Sequence, residues 1–192
     1  MAILTLPEFT SYVGSEIVAN QTDLAVDLAA AEYAIGKHCQ RKFFVSSATT
    51  ARVYKPPCYD DVLYVDDFST TVGLVITDNA VAVASTDYQL EPLNGIDAAG
   101  EVVPYTAIRR IAGSWYWSGD KATVSVTAKW GWAAIPADVV EACRILAKDL
   151  AAHRDTRFGV AGWGEFGLVR LRANPTVLGL LNDNMRPDRV GV

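Results

Sequence analysis

Residues 124–157, VSVTAKWGWAAIPADVVEACRILAKDLAAHRDTR, join a strand to a long helix through a rigid aromatic corner. Val124, Val126 and Ala128 alternate with Ser125, Thr127 and Lys129, the period of a strand with one face covered. Trp130-Gly131-Trp132 ends that alternation. The residue before Pro136 is held extended, and Pro136 suits the first turn of a helix, where its missing N–H removes no bond. Asp138 then sets a carboxylate near the positive end of the helix dipole. Val139, Ala142, Cys143, Leu146, Ala147 and Leu150 follow at helical spacing as one apolar stripe. Arg144, Lys148, Arg154 and Arg157 load the other face and the C-terminal end with positive charge. Trp130, Trp132 and Pro136 are thus expected to form a buried structural corner between sheet and helix. No catalytic group stands out in the stretch.

Upstream, Thr5-Leu6-Pro7-Glu8 carries the signals of a helix start, with Thr5 as N-cap and Glu8 closing a capping box. That helix is short and stops near Gly14. A second helix, capped by Asn20 or Thr22, carries Leu24, Leu28, Ala31 and Ile35 on one stripe. Its Ala29, Ala30 and Ala34 permit close approach of another helix, including one from a second copy of the chain. Lys37, Arg41 and Lys42 lie at its C-terminal end, where the dipole favours cations.

From Phe43 to Lys129 the pattern turns to β. Strands are expected at 51–54, 62–65, 73–77, 81–84, 88–91, 107–111 and 123–129, separated by Pro56-Pro57, Asp78-Asn79, Asn94-Gly95 and Ser118-Gly119-Asp120. The fold class expected is α+β: a helical body (N-terminal helix pair, long central helix, C-terminal helix) with an inserted antiparallel β subdomain. The boundaries are 1–43 for the N-terminal helices, 44–130 for the β-rich insert, and 131–192 for the rest of the helical body. Trp115, Tyr116 and Trp117 are a local aromatic excess, read as core and rim of a small sheet or as a contact patch. After the long helix, 158–168 (FGVAGWGEFGL) combines glycines with Phe158, Trp163 and Phe166 and has the character of a mobile loop. Arg170 and Arg172, at i and i+2, would project from one side of an extended segment. These five residues are the expected partner or oligomer interface. Asn174-Pro175 starts a last helix with Val177, Leu178, Leu180 and Leu181 apolar, and 182–192 is polar and expected to fray.

Composition narrows the function classes. Hydrophobic residues make up 51% of the 192, enough for a sizeable core, and a net charge of −5 argues against a general nucleic-acid binder. The acidic surplus is concentrated in the middle of the chain, while the last third is slightly basic. Cys39, Cys58 and Cys143 lie far apart and form no metal-ligand run with His38 or His153; Cys39 and Cys143 are expected as small core residues in a reducing compartment. The first residues lack a basic and apolar leader, and no stretch reaches the length of a membrane span. Asp149 and His153 could pair on a helix as the germ of a hydrolase site, and Asp60-Asp61 or Asp66-Asp67 could meet a cation. Solvated faces and turns account for both more simply. The glycines of 158–168 match neither a dinucleotide fingerprint nor a phosphate loop, and no nucleophile elbow is present. No catalytic, metal or cofactor site is therefore expected, and the chain is not expected to be an enzyme.

Taken in order, LTLPEFTSYV, the alanine-rich helix closing in CQRKF, the β insert with DYQLEP, strand–WGW–IP–helix, LAAHRD, the glycine-rich loop and VRLRANPTVLGLL make the chain resemble the head-to-tail adaptor (connector) proteins of long-tailed bacteriophages. The resemblance spans 4–186. It implies a structural virion protein at the head–tail junction, made in the host cytoplasm, in a ring of about twelve copies joined by heterologous interfaces. Its partners would be the portal protein above and a neck, tail-terminator or stopper protein below. The ring would extend the channel for double-stranded DNA without reading its sequence, with no membrane and no cofactor. The alternative reading is a β-rich receptor- or carbohydrate-binding module using Trp115, Trp117 and Trp163.

Overall fold

The computed structural model of the chain describes residues 3–14, 21–44, 46–58, 60–96, 100–117, 119–154 and 174–186. Over these residues the protein is mixed α and β, with helices α1 (Leu6–Val13), α2 (Gln21–Cys39), α3 (Ala137–Arg154) and α4 (Pro175–Leu181), and two antiparallel sheets. The chain divides into two compact units, one formed by Met1–Phe43 with Ile135–Val192, the other by Phe44–Ala134.

The first unit is built from the helices. At α1 the capping box forms: the Glu8 N–H donates to Thr5 Oγ1, and the Thr5 N–H donates to Glu8 Oε2 at 2.9 Å. This satisfies donors that a helix start otherwise leaves open. α2 and α3 pack on each other, α1 on α2, and α4 on α3. Leu24, Leu28, Ala31 and Ile35 of α2 are buried, as are Val139, Ala142, Cys143, Leu146, Ala147 and Leu150 of α3. Phe9 and Val13 of α1 and Val177 and Leu181 of α4 close the core. Asn174 caps α4, its Oδ1 accepting from the N–H groups of Thr176 and Val177. Pro136 stands just ahead of Ala137, and its carbonyl accepts the first helical bond, from Val140.

The start of the C-terminal tail departs from the fraying expected of it. Asn182–Asn184 forms a 3₁₀ turn, and the buried Asn184 donates its Nδ2–H to Asp138 Oδ2 at 2.6 Å. The Arg186 N–H donates to the carbonyl of Cys39. Asp138 is thereby shared between the first turn of α3, where Oδ1 accepts from the Val139 N–H, and the tail. A polar composition concealed a segment tied down by side-chain and main-chain bonds.

In the second unit, β1 (Thr50–Tyr54), β7 (Val124–Ala128), β3 (Val75–Asp78) and β4 (Val81–Ala82) form one sheet in that order. β2 (Val62–Phe68), β6 (Tyr105–Arg110) and β5 (Tyr88–Glu91) form the other. The antiparallel β subdomain expected here is thus made of two sheets. Both contribute to one core, in which Leu63, Val65 and Ile108 meet Ile76, Val124, Val126 and Ala128, with Phe68, Trp115 and Trp130. Burying side chains of this kind contributes roughly 1.5–3 kcal/mol each.

Candidate assembly surfaces

The corner after β7 is held by its own backbone. Gly131 adopts φ 102°, a region closed to most side chains, and a Cβ there would lie 2.3 Å from the Phe44 carbonyl oxygen. The Gly131 N–H donates to the Asp67 carbonyl at 2.6 Å, and the Trp132 N–H to the Phe44 carbonyl at 2.8 Å. Glycine between the tryptophans is what lets the chain pass that close. Trp130 is 1% exposed and donates its indole N–H to the Thr50 carbonyl. Its ring stands edge-on to Phe68, and the Arg52 guanidinium lies 4.5 Å from its centroid. Arg52 is held in turn by Asp66 Oδ2 at 2.6 Å, which also accepts from the Tyr54 hydroxyl. Burial pushes the Tyr54 phenol well up, so it stays a donor. Trp132 is buried too. These contacts lie inside the β unit.

The aromatic run of 115–117 divides. Trp115 is buried, donating its indole N–H to the Asp61 carbonyl, with Arg110 over its ring. Trp117 is 43% exposed, with Lys55 over its ring, and Lys55 also pairs with Asp120. Tyr116 is exposed as well, and its N–H donates to Asp78 Oδ2. A binding face built from Trp115 and Trp117 together does not exist, because Trp115 is committed to the core. Trp163 lies outside the described residues. So do Phe158, Phe166, Arg170 and Arg172, and the side chain of His153.

Among the described residues, no group of three or more His, Cys, Asp and Glu side chains could hold a metal. Asp66 is occupied by Arg52 and Tyr54, and Asp60 accepts from the Val62 N–H. Cys39 and Cys143 are fully buried, and desolvation pushes both thiols up to about 12, which makes them inert; Cys58 is exposed. No described helix is long and apolar enough to cross a membrane.

Of the outer side of α2, sequence reasoning named only Ala29, as a small residue open to a second copy of the chain. Ala25, Val26, Ala29 and Tyr33 are exposed along it, and Val26 and Tyr33 are 44% and 56% exposed. Two of the three acids of the same helix turn the other way. Asp27 is fully buried, and Glu32 is half-buried with Oε1 accepting from the N–H groups of Ile3 at 2.7 Å and Leu4 at 3.3 Å. The signal was present in the spacing 22, 26, 29, 33, a second helical stripe beside the one through Leu24 and Leu28. Ala30 and Ala34 are buried within the unit, and only Ala29 of the three small residues lies on the outer stripe.

No protein-family model matches the chain, and no curated protein matches it. Solved structures do. A chain in the neck of an empty gene transfer agent (GTA) particle, computed with C6 symmetry, is 20% identical, with a TM-score of 0.60 over 99% of this chain and 93% of that one. A chain in the virion of the native gene transfer agent is 18% identical, with a TM-score of 0.60 over the same shares. A third, in the neck of the native GTA particle computed with C12 symmetry, is 19% identical, with a TM-score of 0.56 over 97% of this chain and 91% of that one. The chain therefore has, over nearly its full length, the fold of chains found in gene transfer agent necks and virions.

Proposed function

We propose that the protein is a structural, non-enzymatic component of the neck of a tailed bacteriophage or phage-like particle. About twelve copies form a ring beneath the portal, which extends the DNA channel and offers a platform to the next neck or tail component. The observation that carries this reading is the likeness over 99% of the chain to a chain from a neck. The order of motifs along the sequence supports it independently. An acidic surplus, with a net charge of −5, suits a wall past which DNA must slide without sticking. The segment with Phe158, Trp163, Phe166, Arg170 and Arg172 is proposed as the element that docks on a neighbouring subunit or the portal. The alternative of a tryptophan-based binding module is weakened by the burial of Trp115.

The test is to delete the gene from its particle-forming genome and image the products by electron microscopy. DNA-filled heads without attached tails are expected, and complementation with a tagged chain should put the tag at the neck. Normal tailed particles from the deletion, or a tag elsewhere on the virion, would overturn the proposal. Trp163→Ala with Arg170→Ala should reproduce the tailless products if that segment docks.

A further inference from the structure

We infer that the outer stripe of α2 is a docking surface for the same stripe on a second copy, the two helices running antiparallel. The first reason is its inverted polarity. A helix facing water normally turns its charges outward, whereas α2 turns Asp27 and Glu32 inward and Val26, Ala29 and Tyr33 outward. With no charge along its middle, the stripe offers nothing to a phosphate backbone or an anionic headgroup.

The second reason is charge complementarity, and it selects the occupant. Asp23 and Lys37 lie at opposite ends of α2, and at 3.6 residues per turn they fall within about 40° of each other on one flank of the stripe; Lys37 Nζ sits 5.9 Å from the Tyr33 ring centroid. A twofold axis across the helix near Ala29 keeps flanks matched and exchanges ends. It therefore sets Asp23 of each copy against Lys37 of the other, Val26 against Tyr33, and the small Ala29 at the crossing, where it lets the backbones approach. The helix dipoles oppose each other in the same arrangement. A parallel twofold pairing would set the Asp23 and the Lys37 of the two copies on opposite flanks, so that no Asp23–Lys37 pair forms.

Size sets the strength. The stripe runs roughly 16 Å along a helix about 10 Å across, a strip of roughly 160 Å², well below the ~800 Å² per partner of a stable interface. The dimer is thus weak, formed at high concentration and readily given up. It does not rest on the neck reading, since a twofold contact is not the head-to-tail contact from which a ring is built.

Sedimentation velocity on the purified full-length chain, from low micromolar to near-millimolar concentration, provides the test. A reversible monomer–dimer equilibrium is expected. Ala29→Glu should weaken it more than about tenfold, by placing like charges at the crossing. Asp23→Lys and Lys37→Asp should each weaken it roughly fivefold, and the double swap should restore it. On a Cys58→Ser background, Ala29→Cys should form a disulfide-linked dimer on mild oxidation, with an unchanged thermal midpoint of the reduced monomer as the control for folding. A chain that stays monomeric throughout, as a stripe reserved for a different protein would leave it, overturns the inference. So does a dimer indifferent to Ala29→Glu and to the charge swaps.

Discussion

The two long helices, α2 and α3, pack against each other yet treat their free sides in opposite ways. α3 follows the ordinary rule: an apolar stripe buried from Val139 to Ala151, and Glu141, Arg144, Lys148 and Asp149 on the remaining faces. Two of those cations serve its own unit, since Arg144 and Lys148 lie 5.9 and 5.7 Å from the Tyr12 ring centroid of α1. α2 has a buried stripe as good as that of α3, but Asp27 and Glu32 point inward while Val26, Ala29 and Tyr33 stand exposed on the other side. The difference teaches that a helical stripe in a sequence marks a face that wants cover. It does not say whether the cover comes from the same chain.

The comparison breaks most visibly in the interior. Leu146→Ala in α3 should cost about 2–5 kcal/mol in denaturant unfolding, the range for a fully buried leucine. A much smaller loss would mean that the α2–α3 contact is loose and that the two helices are less distinct than described.

A subtler effect lies at Glu32. Burial raises its carboxyl above the ordinary glutamate value, so the folded chain holds the proton more tightly than the unfolded one. The associated stability is complete below the unfolded pKa and is lost as pH rises through the raised folded value. Glu32→Gln keeps an oxygen for the N–H groups of Ile3 and Leu4 and should flatten that part of the stability profile. An unchanged slope would show that the inward acid of α2 carries no such cost.

The smallest expected effect is the most telling. Tyr33→Ala, on the exposed stripe, should leave monomer stability within about 0.5 kcal/mol. A loss comparable to that of Leu146→Ala would place Tyr33 in the fold's own core and remove the contrast between the helices.

Much of this was legible in the sequence because it is local. The capping box at Thr5 and Glu8, the cap at Asn174 and the stripe from Val139 to Leu150 depend on residues a turn or two apart. The strand at Tyr88–Glu91 begins and ends where turn chemistry put it. What escaped depends on partners far along the chain. The pairing of β7 between β1 and β3, the split of the strands into two sheets, and the bonds from the tail to Asp138 and Cys39 leave no periodic trace. Trp115 and Trp117 share a composition but not a fate, since the Asp61 carbonyl that accepts the Trp115 indole N–H is set by tertiary packing. The expected docking residues from Phe158 to Arg172 lie outside the described residues.

The bond from the Trp132 N–H to the Phe44 carbonyl has a consequence for how such a chain can change over time. It ties the first residue of the β unit to one near its last, so the long excursion between α2 and α3 begins and ends at neighbouring points. To the helices it acts as a bracket with a short gap, whatever its length, because closure entropy grows only slowly once the ends are held. A segment bounded in this way can be lengthened, trimmed or exchanged for another with matching ends while the α2–α3 contact is kept. Gly131 is the residue such exchanges must preserve, since any side chain there would drive the two strands of the bracket apart.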